Sequence, residues 1–134
     1  MATTGGGLAL GGDVEQALTG IPVPSYVLDT GGVVRWINPA AERLLGDVRG
    51  QHFTTIVGPE DRTRARELFA RKVLGTTAAT ETTGVLVSTD GTRLMLDVSA
   101  VPLTDGERVV GVFGLLSGAA DDELSAPPAH LTPR

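Results

Sequence analysis

Gly31-Gly32-Val33-Val34-Arg35-Trp36-Ile37-Asn38-Pro39-Ala40-Ala41-Glu42-Arg43-Leu44-Leu45-Gly46 reads as a turn, a short strand, and a helix marked at both ends. Asn38 has the side chain to cap the free amides of a first helical turn. Pro39 stands at N1, where its missing N–H leaves no hydrogen bond unmade. Gly46 supplies the left-handed residue at which such a helix stops. Just upstream, Asp29-Thr30-Gly31-Gly32 is a turn that joins this strand, Val33 to Ile37, to another over Ser25 to Leu28.

Toward the N-terminus, Asp13-Val14-Glu15-Gln16 has the form of a capping box, with Asp13 as N-cap and Gln16 at N3. Val14, Ala17, Leu18 and Ile21 then make a short apolar stripe that Gly20 and Pro22 end. Residues 1–12 hold Gly5-Gly6-Gly7 and Gly11-Gly12 and are expected to form a flexible arm. No Lys-Ser/Thr follows these glycines, so they do not read as a phosphate cradle.

Downstream, Gln51 to Val57 reads as a short helical turn anchored by Phe53, Ile56 and Val57. Gly58-Pro59-Glu60-Asp61 opens a longer helix, with proline at N1 and two acids in its positive first turn. Ala65, Leu68, Phe69 and Val73 share a face at helical spacing, and Gly75 closes the element. Two hairpins follow: Thr80 to Thr89 turns at Asp90-Gly91 into Arg93 to Leu103, and Asp105-Gly106 leads into Arg108 to Leu116. Along the middle strand, Leu94, Leu96, Val98 and Ala100 alternate with Met95, Asp97, Ser99 and Val101, so one face is expected to be buried and the other mixed. Hairpin-linked strands exclude a parallel βαβ arrangement. The expected fold class is α+β, a five-stranded antiparallel sheet with helices packed on one face.

Composition narrows the functional classes. The 134 residues suffice for one domain with a modest core, and residues 118–134, ending in a proline-rich tail, read as a flexible linker after a domain over 13–117. Eleven basic against sixteen acidic side chains leave a net charge of −5, which gives no general attraction to nucleic acid or anionic membrane. Neither a membrane-spanning run nor a signal peptide is evident, so a cytoplasmic location is expected. Without cysteine, disulfides, thiolate catalysis and cysteine metal sites are excluded.

The order of elements resembles the PAS family of sensory domains over roughly Asp13 to Leu116. The run from Asp29 to Gly46 is similar to that family's D-x-x-G-x-I-x-x-x-N-x-A-x-x-x-L-x-G pattern. Gly58-Pro59-Glu60-Asp61 resembles its "HPDD" start of the long helix, with glycine in place of histidine. Asp90-Gly91-Thr92, Val101-Pro102-Leu103 and Val109-Val110-Gly111-Val112 look like its hairpin turn, the end of its fourth strand and its last strand. The resemblance implies a sheet cupped around short helices, a small ligand pocket and a homodimer. Photoactive flavin-binding members carry a reactive cysteine, so the lack of cysteine excludes covalent flavin chemistry. Haem-binding members often use a histidine on the long helix; Pro59 to Gly75 has none, and haem is not expected. The family's D-x-T at the end of the last strand is replaced by Ser117-Gly118-Ala119, a departure from the helical coupling of kinase-linked members. In the tail, His130-Leu131-Thr132-Pro133-Arg134 resembles the opening of LuxR-type helix-turn-helix domains, which implies a transcription regulator as the output.

Candidate pocket residues are Trp36, Leu45, Phe53, Leu68, Phe69, Val87, Leu96, Val98 and Val112. The same residues would equally fill a solid core, and Trp36 reads more readily as a core or interface aromatic than as a stacking wall. An aromatic content of 4% favours a small, mostly apolar ligand over a large planar cofactor. Val14, Leu18, Met95 and Val101 are candidates for a homodimer interface. His52 reads as a surface or turn residue rather than a ligand to metal, and the cations Arg62, Arg64, Arg66, Arg71 and Lys72 as a solvated helix face. Asp29, Asp90 and Asp105 are explained by turn chemistry. No catalytic triad, carboxylate pair or metal triad can be assembled, so the chain is not expected to be an enzyme. The leading expectation is a sensor that binds a small apolar molecule and relays occupancy to an output domain. The alternative is a ligand-free module for homodimerisation or protein–protein interaction.

Overall fold

The computed structural model describes residues 16, 17, 19–75 and 78–118. Residues 16, 17, 19 and 20 are helical and exposed; Val14 and Leu18, the arm and the tail with its helix-turn-helix resemblance lie outside the described residues.

Strands β1 (Ser25–Leu28) and β2 (Val34–Ile37) form an antiparallel pair joined by the turn at Asp29. One carboxylate organises this turn. Its Oδ1 accepts from the amides of Gly31 at 2.9 Å and Val33 at 3.0 Å, and its Oδ2 takes Arg35 Nε at 2.7 Å. Partial burial raises the Asp29 pKa, but these bonds outweigh it and leave the group below the usual carboxylate range. Val33, expected to begin β2, instead forms an isolated bridge with His52.

Helix α1 (Pro39–Leu45) begins at Asn38 as its sequence dictates. Asn38 Oδ1 accepts from Ala41 N at 2.9 Å and also from Ser25 N at 3.0 Å, while its Nδ2 donates to Val23 O at 2.8 Å. The cap therefore also stitches α1 to the start of β1. At the other end Gly46 has φ +86°, but its ψ of 179° turns the chain away in an extended course rather than in a left-handed helical one. A β-carbon there would stand 2.1 Å from Thr89 Oγ1.

The predicted helical turn after α1 is a 3-10 turn, Phe53–Thr55. The long helix departs from expectation at its start: Pro59–Asp61 is a separate 3-10 turn, and α2 (Arg62–Val73) follows it. The cause is Asp61, whose carboxylate caps no helix and instead accepts Val85 N at 2.9 Å and Arg64 Nη2 at 3.0 Å. That bond, with Gly58 N to Val85 O at 2.8 Å, pins the turn along the outer edge of the sheet and satisfies an edge that would otherwise be open.

β3 (Thr80–Val87), β4 (Arg93–Asp105) and β5 (Arg108–Gly118) complete the sheet, which has the order β2-β1-β5-β4-β3 and antiparallel pairing throughout. Both Asp-Gly hairpin turns form, with Gly91 at φ +90° and Gly106 at φ +67°. The helices and 3-10 turns lie on one face. Leu96 and Ala100 of β4 are buried beneath them, with Leu28, Leu45, Ile56, Val112 and Leu116 in the same cluster. Met95 and Val101 stay 46% and 40% exposed on the other face. No helix among the described residues is long and apolar enough to cross a membrane.

Candidate functional site

The apolar face of α2 is the first sign of a site. Ala65, Leu68, Phe69 and Val73 do share a face, yet all four are only half-buried. An amphipathic helix seated on a solid core would bury such residues fully. Here Ala65, Leu68 and Phe69 look into a cavity of about 130 Å³ between α2 and the inner face of the sheet. Phe53 and Phe69 close one side of it, their rings 4.8 Å apart and tilted by 44°. A void of this size forgoes up to roughly 3 kcal/mol of packing, taking about 24 cal/mol per Å³. It is close to the roughly 150 Å³ of an engineered apolar cavity that admits benzene.

Its floor follows from strand register. Thr80, Ala100, Gly114, Tyr26 and Ile37 are cross-strand neighbours running from β3 to β2, and all five belong to the inner face. Gly114 is required there because a β-carbon on it would lie 2.1 Å from Tyr26 Cζ and 2.2 Å from its hydroxyl. The Tyr26 ring thus lies flat over β5, with its phenol on the cavity wall. Burial pushes its pKa up to about 12, so the group is a neutral hydrogen-bond donor at ordinary pH. Among the described residues no partner bonds that hydroxyl.

The other polar groups of the wall come from α2 and the edge of β3. Arg64 is committed to Asp61 and to Thr83 O at 2.8 Å, and its half-exposed side chain marks where the cavity reaches solvent. Lys72 differs. It is the chain's sole lysine beside ten arginines, and it is 3% exposed, the one residue of α2 in the buried class. Its Nζ donates to Leu68 O at 3.2 Å, and among the described residues no carboxylate pairs with it. Burial lowers its pKa from the usual lysine value.

Of the residues singled out from sequence, Leu45, Phe53, Leu68, Phe69, Val98 and Val112 stand on the cavity wall. Three do not. Trp36 pairs with Val27, which pairs with Phe113 and so belongs to the outer face; an irregularity between Val27 and Leu28 sets that phase. Val87 pairs with exposed Arg93, so the inward residue is its neighbour Leu86. Leu96 does face inward, but at 1% exposure it fills the solid part of the core between Gly84 and Gly118. Tyr26 and Lys72 were not singled out as pocket residues. The aromatic–glycine pair Tyr26 and Gly114 gives no local signal, and a helix with five cations reads as solvated.

His52 is exposed, accepts Thr54 N at 3.2 Å through Nδ1 and stacks on Phe53 with centroids 4.8 Å apart. Lys72 corrects the expectation that the α2 cations form a solvated face. No group of three His, Cys, Asp or Glu side chains among the described residues can hold a metal ion.

The family model described as the PAS fold matches residues 18–118. No curated protein matches the chain. Among solved structures, the PAS domain of a protein from Colwellia psychrerythraea is similar at 18% identity and a TM-score of 0.67, over 81% of this chain and 96% of that one. A domain of a sensory box sensor histidine kinase/response regulator from Geobacter sulfurreducens gives 20% identity and a TM-score of 0.65, over 78% and 91%. An RNA-binding light-oxygen-voltage receptor gives 22% and 0.68, over 88% of this chain but 36% of that one.

Proposed function

Because the chain belongs to the PAS fold family, we propose that it is a sensory domain which binds a small, mostly apolar molecule, without turnover, and relays occupancy to an output domain. The observation that carries this reading is the cavity under α2, with apolar walls and few polar groups. A ligand that fills the void favours the arrangement it binds more tightly, by its differential affinity. The Leu131–Arg134 resemblance supports a transcription regulator as the output, and the acidic charge supports a module that does not itself bind nucleic acid.

Native mass spectrometry of freshly purified protein tests the ligand. The expected result is an added small-molecule mass that disappears on denaturation. Repeated absence of that mass, with no apolar compound of one-ring size raising the melting temperature, would sink the sensor reading.

A second reading has its own observation. Met95 and Val101 are exposed on the outer sheet face, in the same layer as Trp36 and Phe113. Such a patch suits a homodimer contact. Light scattering on a sizing column should give twice the chain mass of 13.8 kDa, and Val101→Glu should return it to the monomer.

A further inference from the structure

We propose that the ligand is a small carboxylic acid, with one ring or a short branched chain among the apolar walls and its carboxylate on Lys72 Nζ and the Tyr26 hydroxyl. This rests on the reading of the cavity as a ligand site and adds the chemical class of the ligand.

The argument begins with a mismatch. A buried ammonium is ordinarily paired with an acid, because an unpaired charge in an apolar setting is strongly unfavourable. Lys72 is buried and stands on a cavity wall, yet its one acceptor among the described residues is the Leu68 carbonyl one turn back. The two other cavity-wall charges, Asp61 and Arg64, neutralise each other at 3.0 Å. Lys72 is therefore left as the uncompensated cation of the wall. Nothing about α2 requires a lysine there, since the chain uses arginine at every other basic position. A compact ammonium on a flexible stem can reach a ligand group inside a cavity that a planar guanidinium would overfill.

Tyr26 supplies the second donor. Its phenol, held over Gly114, sits in the inner-face row that ends at Thr80, the first residue of β3. α2 packs over β5 and β4, the two strands that the same row crosses, and Lys72 is in its last turn. Lys72 and Tyr26 both open onto the cavity, and both carry unused N–H or O–H donors with no acceptor side chain to take them. A carboxylate offers two oxygens that accept such bonds, and it brings the negative charge that Lys72 lacks. The remaining volume, about that of one benzene ring, sets the size of the apolar part.

Calorimetric titration of the protein with sodium benzoate, benzamide and benzyl alcohol, three probes of nearly one size, separates the outcomes. Benzoate is expected to bind at least about tenfold more tightly than benzyl alcohol, the contribution of one charge-assisted hydrogen bond. Lys72→Met should abolish that preference, and Tyr26→Phe should weaken benzoate several-fold. Removing an unpaired buried charge does not threaten folding, and the preference of the unaltered protein stands as a test by itself. If benzyl alcohol or benzamide binds as tightly as benzoate, the cavity remains a ligand site and the carboxylate assignment is overturned. Unchanged benzoate affinity in either variant also overturns it. If none of the three binds, the ligand-site reading itself has failed, and the assignment with it.

Discussion

Asn38 shows how much a single side chain fixes. It is 1% exposed and among the described residues bonds the amides of Ala41 in α1 and Ser25 in β1 and the carbonyl of Val23 before β1. Asn38→Ala would leave the Ser25 and Ala41 amides buried without an acceptor. The expected loss is about 2–3 kcal/mol, read as a lower midpoint in urea at unchanged slope. A loss near zero would mean that water replaces the side chain. The cap was legible in sequence because Asn-Pro before an apolar helix is local chemistry; its bond to Ser25 was not, because that depends on the sheet. Tyr26 and Lys72 make a second prediction at this scale, and as the sole tyrosine and sole lysine they can be followed without interference. Burial lowers the folded pKa of Lys72 below 10.5, so unfolding takes up a proton between that lowered value and 10.5, and stability rises with pH there. Tyr26 has the opposite sign. Its pKa goes from 10.0 in the unfolded chain to about 12 when folded, unfolding releases a proton in that interval, and stability falls as pH rises through it. Melting temperatures across alkaline pH should lose the rise in Lys72→Met and the fall in Tyr26→Phe.

Among the elements, the strands and turns of the C-terminal half were the most legible. Asp90-Gly91 and Asp105-Gly106 demand positive φ at the glycine, and the alternation from Leu94 to Ala100 leaves one phase for the middle strand. β3 was legible as a strand but not in phase: Thr80, Thr82 and Gly84 face inward, so its polar and small residues point where apolar ones are expected, and Val87 was taken for Leu86. β2 lost its phase for another reason, an extra residue of its own, Arg35, between the pairs Val27–Trp36 and Leu28–Val34. α2 was legible in its face and its C-terminal end, but not in its start or in what its face meets. Its half-buried residues make a prediction: Ala65→Leu adds volume to a void rather than to a packed core. Its melting temperature should rise by a few degrees, corresponding to about 1 kcal/mol, and its affinity for any one-ring compound should fall. A destabilised Ala65→Leu would show that the space beneath α2 is already filled.

The whole molecule has two sheet faces with different tasks. The inner face holds a core that is solid around Leu96 and open under α2. The outer face exposes Met95 and Val101, and Met95→Lys with Val101→Glu should shift the sedimentation of any dimer to that of the monomer while leaving one-ring compounds bound. The architecture could be read from sequence because strand order, turns and helix caps are local signals in series. The cavity could not, because apolar residues at core spacing are the same whether they meet each other or a void. Methyl-resolved NMR during titration with benzene tests the open core most directly. Saturable shifts confined to methyl groups of the cavity wall, those of Leu45, Leu68, Val98 and Val112 among them, are predicted, and their loss in Ala65→Leu. An unchanged spectrum, or shifts confined to Met95 and Val101 on the outer face, would contradict it.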